Sequence, residues 1–392
     1  MNTSYDVIFT GGGIMGCATA YFLLKNDPNL RIAILEKDAT YSKNSTVLSD
    51  GNIRLQFNVK ENILISQFGL QMLDRFADEM AVGDDRPDIA FRRQGDLFLT
   101  DENGCAAAQE GLTLQQSLGC PVRWLSTAEI AQHFPQMNLQ GCAGGTFGEG
   151  EGTMDPHAVL QAYKNKAVSL GARFIEAEVT GLVTGRRAVH GVKLAKGNVI
   201  SANVVVNTAG AWVSQIARMA GIDLPIEPVK RQVFVLEADV QPQNPWPLIV
   251  FPTGLYLIQE HGNTFLCGKS MADDPIGTDD FSWRRERFEQ RLWPELVDYL
   301  PQFDRLKVVN GWAGLYAVNT FDGNAIFGEW PQMRGFYIMG GFSGHGFQQC
   351  HAGGRYIAEL ILGSKPVLDL SIFSPTRILE NKPVFENQSK LV

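Results

Sequence analysis

The clearest chemical spacing lies near the start of the chain, where Gly11-Gly12-Gly13-Ile14-Met15-Gly16 spells G-x-G-x-x-G and acidic Glu36 stands twenty residues beyond Gly16. In such a run the first glycine permits a tight turn, the second lets the backbone approach a pyrophosphate, and the third allows a helix to pack closely on a strand. The exposed N–H groups at the helix start, around Ile14 and Met15, suit an anion, and Glu36, followed by Lys37, can accept from ribose hydroxyls. A lone match is also an ordinary glycine turn, so its meaning depends on a strand before it and a helix after it. The motif does not separate FAD from NAD.

Four other places hold residues of notable type. Ser45, Thr46, Ser49, Asp50, Gly51 and Asn52 form a polar loop, which alone reads as a solvated turn. Arg54 sits in the mostly apolar Ile53-Arg54-Leu55-Gln56-Phe57, where a guanidinium needs an anion, either a protein carboxylate or a substrate's. Asn207-Thr208-Ala209-Gly210-Ala211-Trp212 ends an apolar strand in small residues, as a close ligand or a plain strand-to-helix turn requires. Gly341-Phe342-Ser343-Gly344-His345-Gly346-Phe347 runs into a helix whose N-terminus would favour a delocalised anion. His345, between two glycines, reads equally as a catalyst or as a structural histidine. No metal site is expected, because His345 and His351, six apart, do not share a helix face. The same segment breaks the G-x-S-x-G spacing of a hydrolase nucleophile.

These residues need elements to carry them. Residues 6–10 read as a strand, 14–25 as a helix and 31–36 as a strand, which makes a βαβ unit around the glycines. Asp155-Pro156 opens a helix over 156–170, with an N-cap, a proline at N1 and Gly171 past its end. Three strand-like runs within 173–207 predict a small antiparallel meander ending in Val204-Val205-Val206. From about 225 to 318 the character changes to strands at 232–236 and 254–259, proline-rich turns at 242–247 and a long helix near 283–300, a separate mixed α/β domain. Residues 335–363 return to strand, glycine turn and helix.

Composition narrows the function classes. Charged residues are 19% and AVILMFWYC 45% of 392 residues, which excludes a disordered chain, and glycine, at 40, is in excess without any repeat. A net charge of -8 offers no attraction to nucleic acid or anionic lipid. The 6 cysteines include no C-x-x-C pair, which fits reduced thiols and a cytoplasmic location. Neither a signal peptide nor a run of about 18 apolar residues is found, so no membrane span is expected.

Taken in order, the N-terminal glycine motif with Glu36, the Ser/Asn loop, Asn207 to Trp212, Gly314 to Gly328 and Gly341 to Phe347 resemble the FAD-dependent D-amino acid oxidase and sarcosine oxidase superfamily over nearly the whole chain. The resemblance implies FAD rather than NAD. It also implies an α/β (α+β) fold of glutathione-reductase-like type: a Rossmann-type FAD-binding domain assembled from 1–85, 145–220 and 320–392, and a mixed α/β substrate domain from 86–144 and 221–319.

Carried over by position, Gly11, Gly13 and Gly16 would hold the pyrophosphate, Glu36 the adenosine ribose, and Ser45, Thr46 and Asn52, beside Gly51, the middle of the cofactor. Val179 would contact adenine, Ala209, Gly210 and Trp212 would flank the cofactor, and Gly341 to Phe347 would lie under the isoalloxazine. Arg54 matches a carboxylate-binding position, and Tyr256 a substrate-binding tyrosine; Tyr316 and Gln348 stand where relatives place other substrate-facing residues. No cysteine occurs in Ala313-Gly314-Leu315-Tyr316, so non-covalent FAD is implied. The oxygen-activating lysine of sarcosine oxidases would fall near Leu266, which favours a dehydrogenase.

The expected activity is oxidation of the C–N bond of an amino acid, N-substituted or D, by hydride transfer to flavin N5, giving an imine that hydrolyses. Electrons would pass to a quinone, an electron-transfer protein or O2, and peripheral membrane association is compatible with that role. The alternatives are a flavoprotein dehydrogenase of a 2-hydroxy acid, with His345 as the only evident base, and a non-catalytic FAD-binding assembly factor, which the C-terminal stretch from Gly341 to Leu379 also resembles.

Overall fold

A computed structural model describes residues 3–240, 242 and 244–386. Strands Val7–Thr10, Ile32–Glu36, Val204–Asn207 and Phe336–Gly340 are apolar along almost their whole length, as strands covered on both faces must be. They pair in parallel, with Arg173–Glu176 at one edge and the antiparallel Ile326–Glu329 at the other. Successive residues point to opposite faces. Val7 and Phe9 pack against helices Ile14–Asn26, Pro156–Ser169 and Gly346–Ile361, while Ile8 packs against the antiparallel meander Val179–Thr184, Val189–Leu194 and Val199–Ser201.

The expected capping of the second helix is present: Asp155 accepts from the N–H groups of His157 and Ala158, Pro156 begins the helix, and Gly171 follows with φ +114°. Gly16 shows why the glycine motif needs its last member, because a Cβ there would lie 2.2 Å from the Gly11 carbonyl oxygen. Only hydrogen lets the helix sit that close to the turn.

A second sheet has eight strands, in the order Lys307–Asn319, Ile226–Glu237, Thr264–Gly268, Tyr256–Gln259, Leu248–Val250, Asp96–Asp101, Cys142–Gly148 and Val122–Leu125. One face is covered by Phe288, Leu292, Leu296, Leu300 and Phe303. The other carries Val233, Leu248, Val250, Tyr256, Ile258 and Leu266.

Two expectations change here. The boundary expected at residue 145 falls inside Cys142–Gly148, which pairs with Asp96–Asp101 and Val122–Leu125, so the chain leaves the second sheet after Gly148. The helix expected over 283–300 is Arg285–Arg287, a π turn at Phe288–Leu292 and Trp293–Tyr299. Pro294 has no N–H to give to the preceding turn, and the backbone widens just before it. Among the described residues no helix is long and apolar enough to cross a membrane, and all six cysteines are free.

Candidate active site

A cavity of about 490 Å³ opens between the carboxyl ends of the parallel strands and the Val233–Tyr256 face of the second sheet. That is where open α/β sheets bind ligands. At one end it is lined by Gly11, Gly13, Ile14, Met15, Glu36, Lys37, Val179, Ala209, Gly210 and Trp212. Two long helices start on it, Ile14–Asn26 behind Gly13 and Gly346–Ile361 behind His345, and neither has a side-chain cap or an acidic residue in its first turn. Their first N–H groups are left for a ligand, and both positive helix ends favour an anion there.

Glu36 is held in place before any ligand arrives: its two oxygens accept from the N–H groups of Gly12 at 2.9 Å and Asp38 at 3.1 Å. Burial nonetheless pushes its carboxyl above the ordinary value, against those N–H bonds. The Lys37 ammonium sits 3.4 Å from the centroid of the Trp212 ring. Farther in, Ser45 donates to the Leu315 carbonyl at 2.7 Å and Thr46 lies beside it, both on the cavity wall. These features fit an extended dinucleotide with its pyrophosphate at the first helix and a delocalised ring system at the second.

Four expected cofactor residues do not line the cavity. Gly16 serves helix packing, and a Cβ on Gly51 would lie 2.0 Å from the Met154 carbonyl oxygen. Gly341 is packed by Ile226 and Asn319, and Ser343 accepts from the Asn319 N–H at 3.0 Å. They shape the loops that carry the lining residues. Asn52 does line it, but its amide is spent on both oxygens of Asp96, at 3.0 and 2.8 Å, and on the Gly152 carbonyl.

At the other end stand Arg54, Tyr256, Tyr316, His345, Gln348, Gly344, Gly346, Phe342 and Phe347. Arg54 is 7% exposed, lies over the Phe57 and Phe98 rings, and forms no ion pair among the described residues; its Nε has no partner. Its Nη2 donates to His345 Nε2 at 2.9 Å, and Gln348 Oε1 accepts from its backbone N–H at 2.8 Å. Of the two anions open to Arg54 in the sequence, the protein supplies none in contact.

The same geometry corrects the catalytic role expected for His345. Arg54 can only donate, so the lone pair on Nε2 is occupied. Burial, and then the Arg54 charge, lower the His345 pKa to about 3, so the ring is neutral and holds the guanidinium. Tyr256 is likewise engaged: its hydroxyl donates to Asp50 Oδ2 at 2.6 Å. Tyr316 packs closely on Gly344, where a Cβ would lie 2.5 Å from its ring.

Beneath Arg54 lie residues that the sequence did not single out. Asp96 and Glu151 are both fully buried. Glu151 accepts from the Leu55 N–H at 2.7 Å and from Gln56 at 2.6 Å, so with Asp96 and Asn52 it fixes the short loop that presents Arg54. Burial raises both carboxyls, and for Asp96 the charge of Glu151 adds to it. Asp50 and Arg231 also line the cavity. Asp50 is masked in the sequence by a run that reads as a turn, and its partner Tyr256 is 206 positions away. Among the described residues no cluster of His, Cys, Asp and Glu could hold a metal ion.

The family model for FAD dependent oxidoreductases, DAO, matches residues 6–360. FAD-dependent oxidoreductase domain-containing protein 1 of Xenopus laevis is 34% identical, over 97% of this chain and 84% of that protein. Glycine oxidase of Geobacillus kaustophilus (strain HTA426) is 27% identical, over 96% of this chain and 98% of that protein. Among solved structures, L-proline dehydrogenase from P. horikoshii superposes with a TM-score of 0.87 at 26% identity, covering 98% of this chain and all of that one.

Proposed function

The chain belongs to the DAO family of FAD-dependent oxidoreductases, and on that premise we propose that it oxidises the C–N bond of an amino acid, preferably an N-substituted one. The observation that carries this reading is Arg54: a buried guanidinium on the cavity wall, without a carboxylate partner and with Nε free. A substrate carboxylate supplies the missing anion, and a charge-assisted bond of this kind is worth about 1.5 to 3 kcal/mol. His345 and Gln348 hold Arg54 from either side, and the apolar face of Val233, Val250 and Ile258 keeps water from the reacting carbon.

FAD bound in this cavity would supply the redox chemistry, as hydride acceptor for the carbon next to nitrogen. The two uncapped helix starts and Glu36 would hold it, and the resemblance implies non-covalent attachment, since Ala313 to Tyr316 carries no cysteine. An amine needs no strong protein base for this step, whereas a hydroxy acid does, and His345, with Nε2 taken by Arg54, is a poor one. That favours the amino acid over the 2-hydroxy acid. Relatives named glycine oxidase, sarcosine oxidase subunit beta and sarcosine dehydrogenase favour a small amino acid substrate over a purely non-catalytic assembly role. A dehydrogenase is favoured, because Leu266 stands where the resemblance expects an oxygen-activating lysine; a quinone, an electron-transfer protein or O2 would take the electrons, at a cytoplasmic site compatible with peripheral membrane association.

The test is product analysis of the purified holoprotein with N-methyl and D-amino acids, in air and with a dye acceptor. Carbonyl and amine products should form, faster with the dye. No carbonyl product from any amine with either acceptor would contradict the reading.

A further inference from the structure

Asp50 stands on the cavity wall with Oδ2 accepting from Tyr256 and Oδ1 without a partner. It enters no ion pair among the described residues. Arg54, on the same cavity wall, is in the complementary position: a cation with no carboxylate in contact, Asp96 and Glu151 lying beneath it, and Tyr316 lines the same cavity. A buried charged group with an unpaired polar atom is costly, and at this end of the cavity Asp50 and Arg54, of opposite sign, each keep one: Oδ1 and Nε. That is the charge pattern of an amino acid zwitterion.

We propose that Asp50 binds the substrate's ammonium nitrogen, with Tyr256 holding the carboxylate in place, while Arg54 binds the substrate's carboxylate. This rests on the amino acid reading above and adds the residue that selects for nitrogen. Where the ammonium gives up a proton, Asp50 receives it: one N–H bond breaks, one O–H bond forms, and the nitrogen keeps its electron pair. Burial pushes Asp50 up to about 6, with the Tyr256 hydroxyl opposing and Glu260 adding to it. Tyr256, Tyr316 and Cys267 around it are raised by burial and stay neutral near pH 7, and Arg231, the cation on the same wall, is paired with Asp274. The carboxylate is therefore charged at pH 8 and largely neutral at pH 5.

The test uses two ligands of one shape, 2-aminoisobutyrate and trimethylacetate, titrated into the holoprotein and read by the change in the visible flavin spectrum. The first has no hydrogen on its α-carbon to lose, so binding is measured without turnover. Wild-type protein at pH 8 should bind the ammonium compound about tenfold more tightly than the methyl compound, a gain lost at pH 5, since tenfold is about 1.4 kcal/mol. Asp50→Asn should erase the gain at pH 8 and leave trimethylacetate within about twofold, its retained binding showing that the site is folded; Asp50→Ser repeats the comparison should the amide disturb Tyr256. An unchanged preference in either folded variant would overturn the role of Asp50. Failure of both ligands to bind wild-type protein would instead overturn the amino acid reading itself.

Discussion

Arg54 is pinned by its backbone to Gln348 and by its guanidinium to a neutral histidine, with no protein carboxylate in contact. Arg54→Ala should raise KM for a carboxylate-bearing amine on the order of 10- to 150-fold, the equivalent of about 1.5 to 3 kcal/mol. The KM of an uncharged amine should move little, and equal effects on both, in steady-state assays, would remove Arg54 from substrate recognition. At this scale the sequence revealed residues whose type jars with their neighbours: a guanidinium among apolar residues, a histidine between glycines. It did not reveal partnerships. Nothing near Asp50 announces Tyr256, and nothing near His345 announces that Arg54 takes its lone pair, because those contacts are closed by the fold.

The helix Ile14–Asn26 meets its strand through Gly16, where a Cβ would press on the Gly11 carbonyl at 2.2 Å. Gly16→Ala must therefore shift the helix start, and such overpacking costs about 1 to 3 kcal/mol. Denaturant unfolding should report that loss, and the purified variant should carry less FAD. Asp155→Ala, which removes the N-cap of Pro156–Ser169, should cost about 1 kcal/mol and leave the flavin spectrum unchanged. Elements with local signals were legible: the βαβ unit, the capped helix and the middle of the meander, whereas its expected outer strands, Arg173–Glu176 and Val204–Asn207, pair in the parallel sheet instead. Cys142–Gly148 was not, since three of its seven residues are glycine, poor strand formers whose place is set by Asp96–Asp101 and Val122–Leu125. The π turn before Pro294 was missed for a similar reason: the apolar period continues across it while the backbone does not.

In the whole molecule the cavity separates the parallel sheet from the second sheet, so a cofactor in it touches both. Removing FAD should lower Tm, and returning it at about 100 times its Kd should restore about 2.7 kcal/mol of stability. A Tm that ignores FAD would mean that the group does not bind at the junction. The discontinuous assembly of the molecule could be anticipated only through resemblance to a family; no local pattern says that residues 326–361 return beside strand Val204–Asn207. The most direct measurement is the visible spectrum of the purified protein as N-methyl amino acids, D-amino acids and 2-hydroxy acids are added anaerobically. The flavin bands should bleach with an amino acid and persist with hydroxy acids. Bleaching by a hydroxy acid alone, or a colourless protein that FAD cannot reconstitute, would contradict the proposed function.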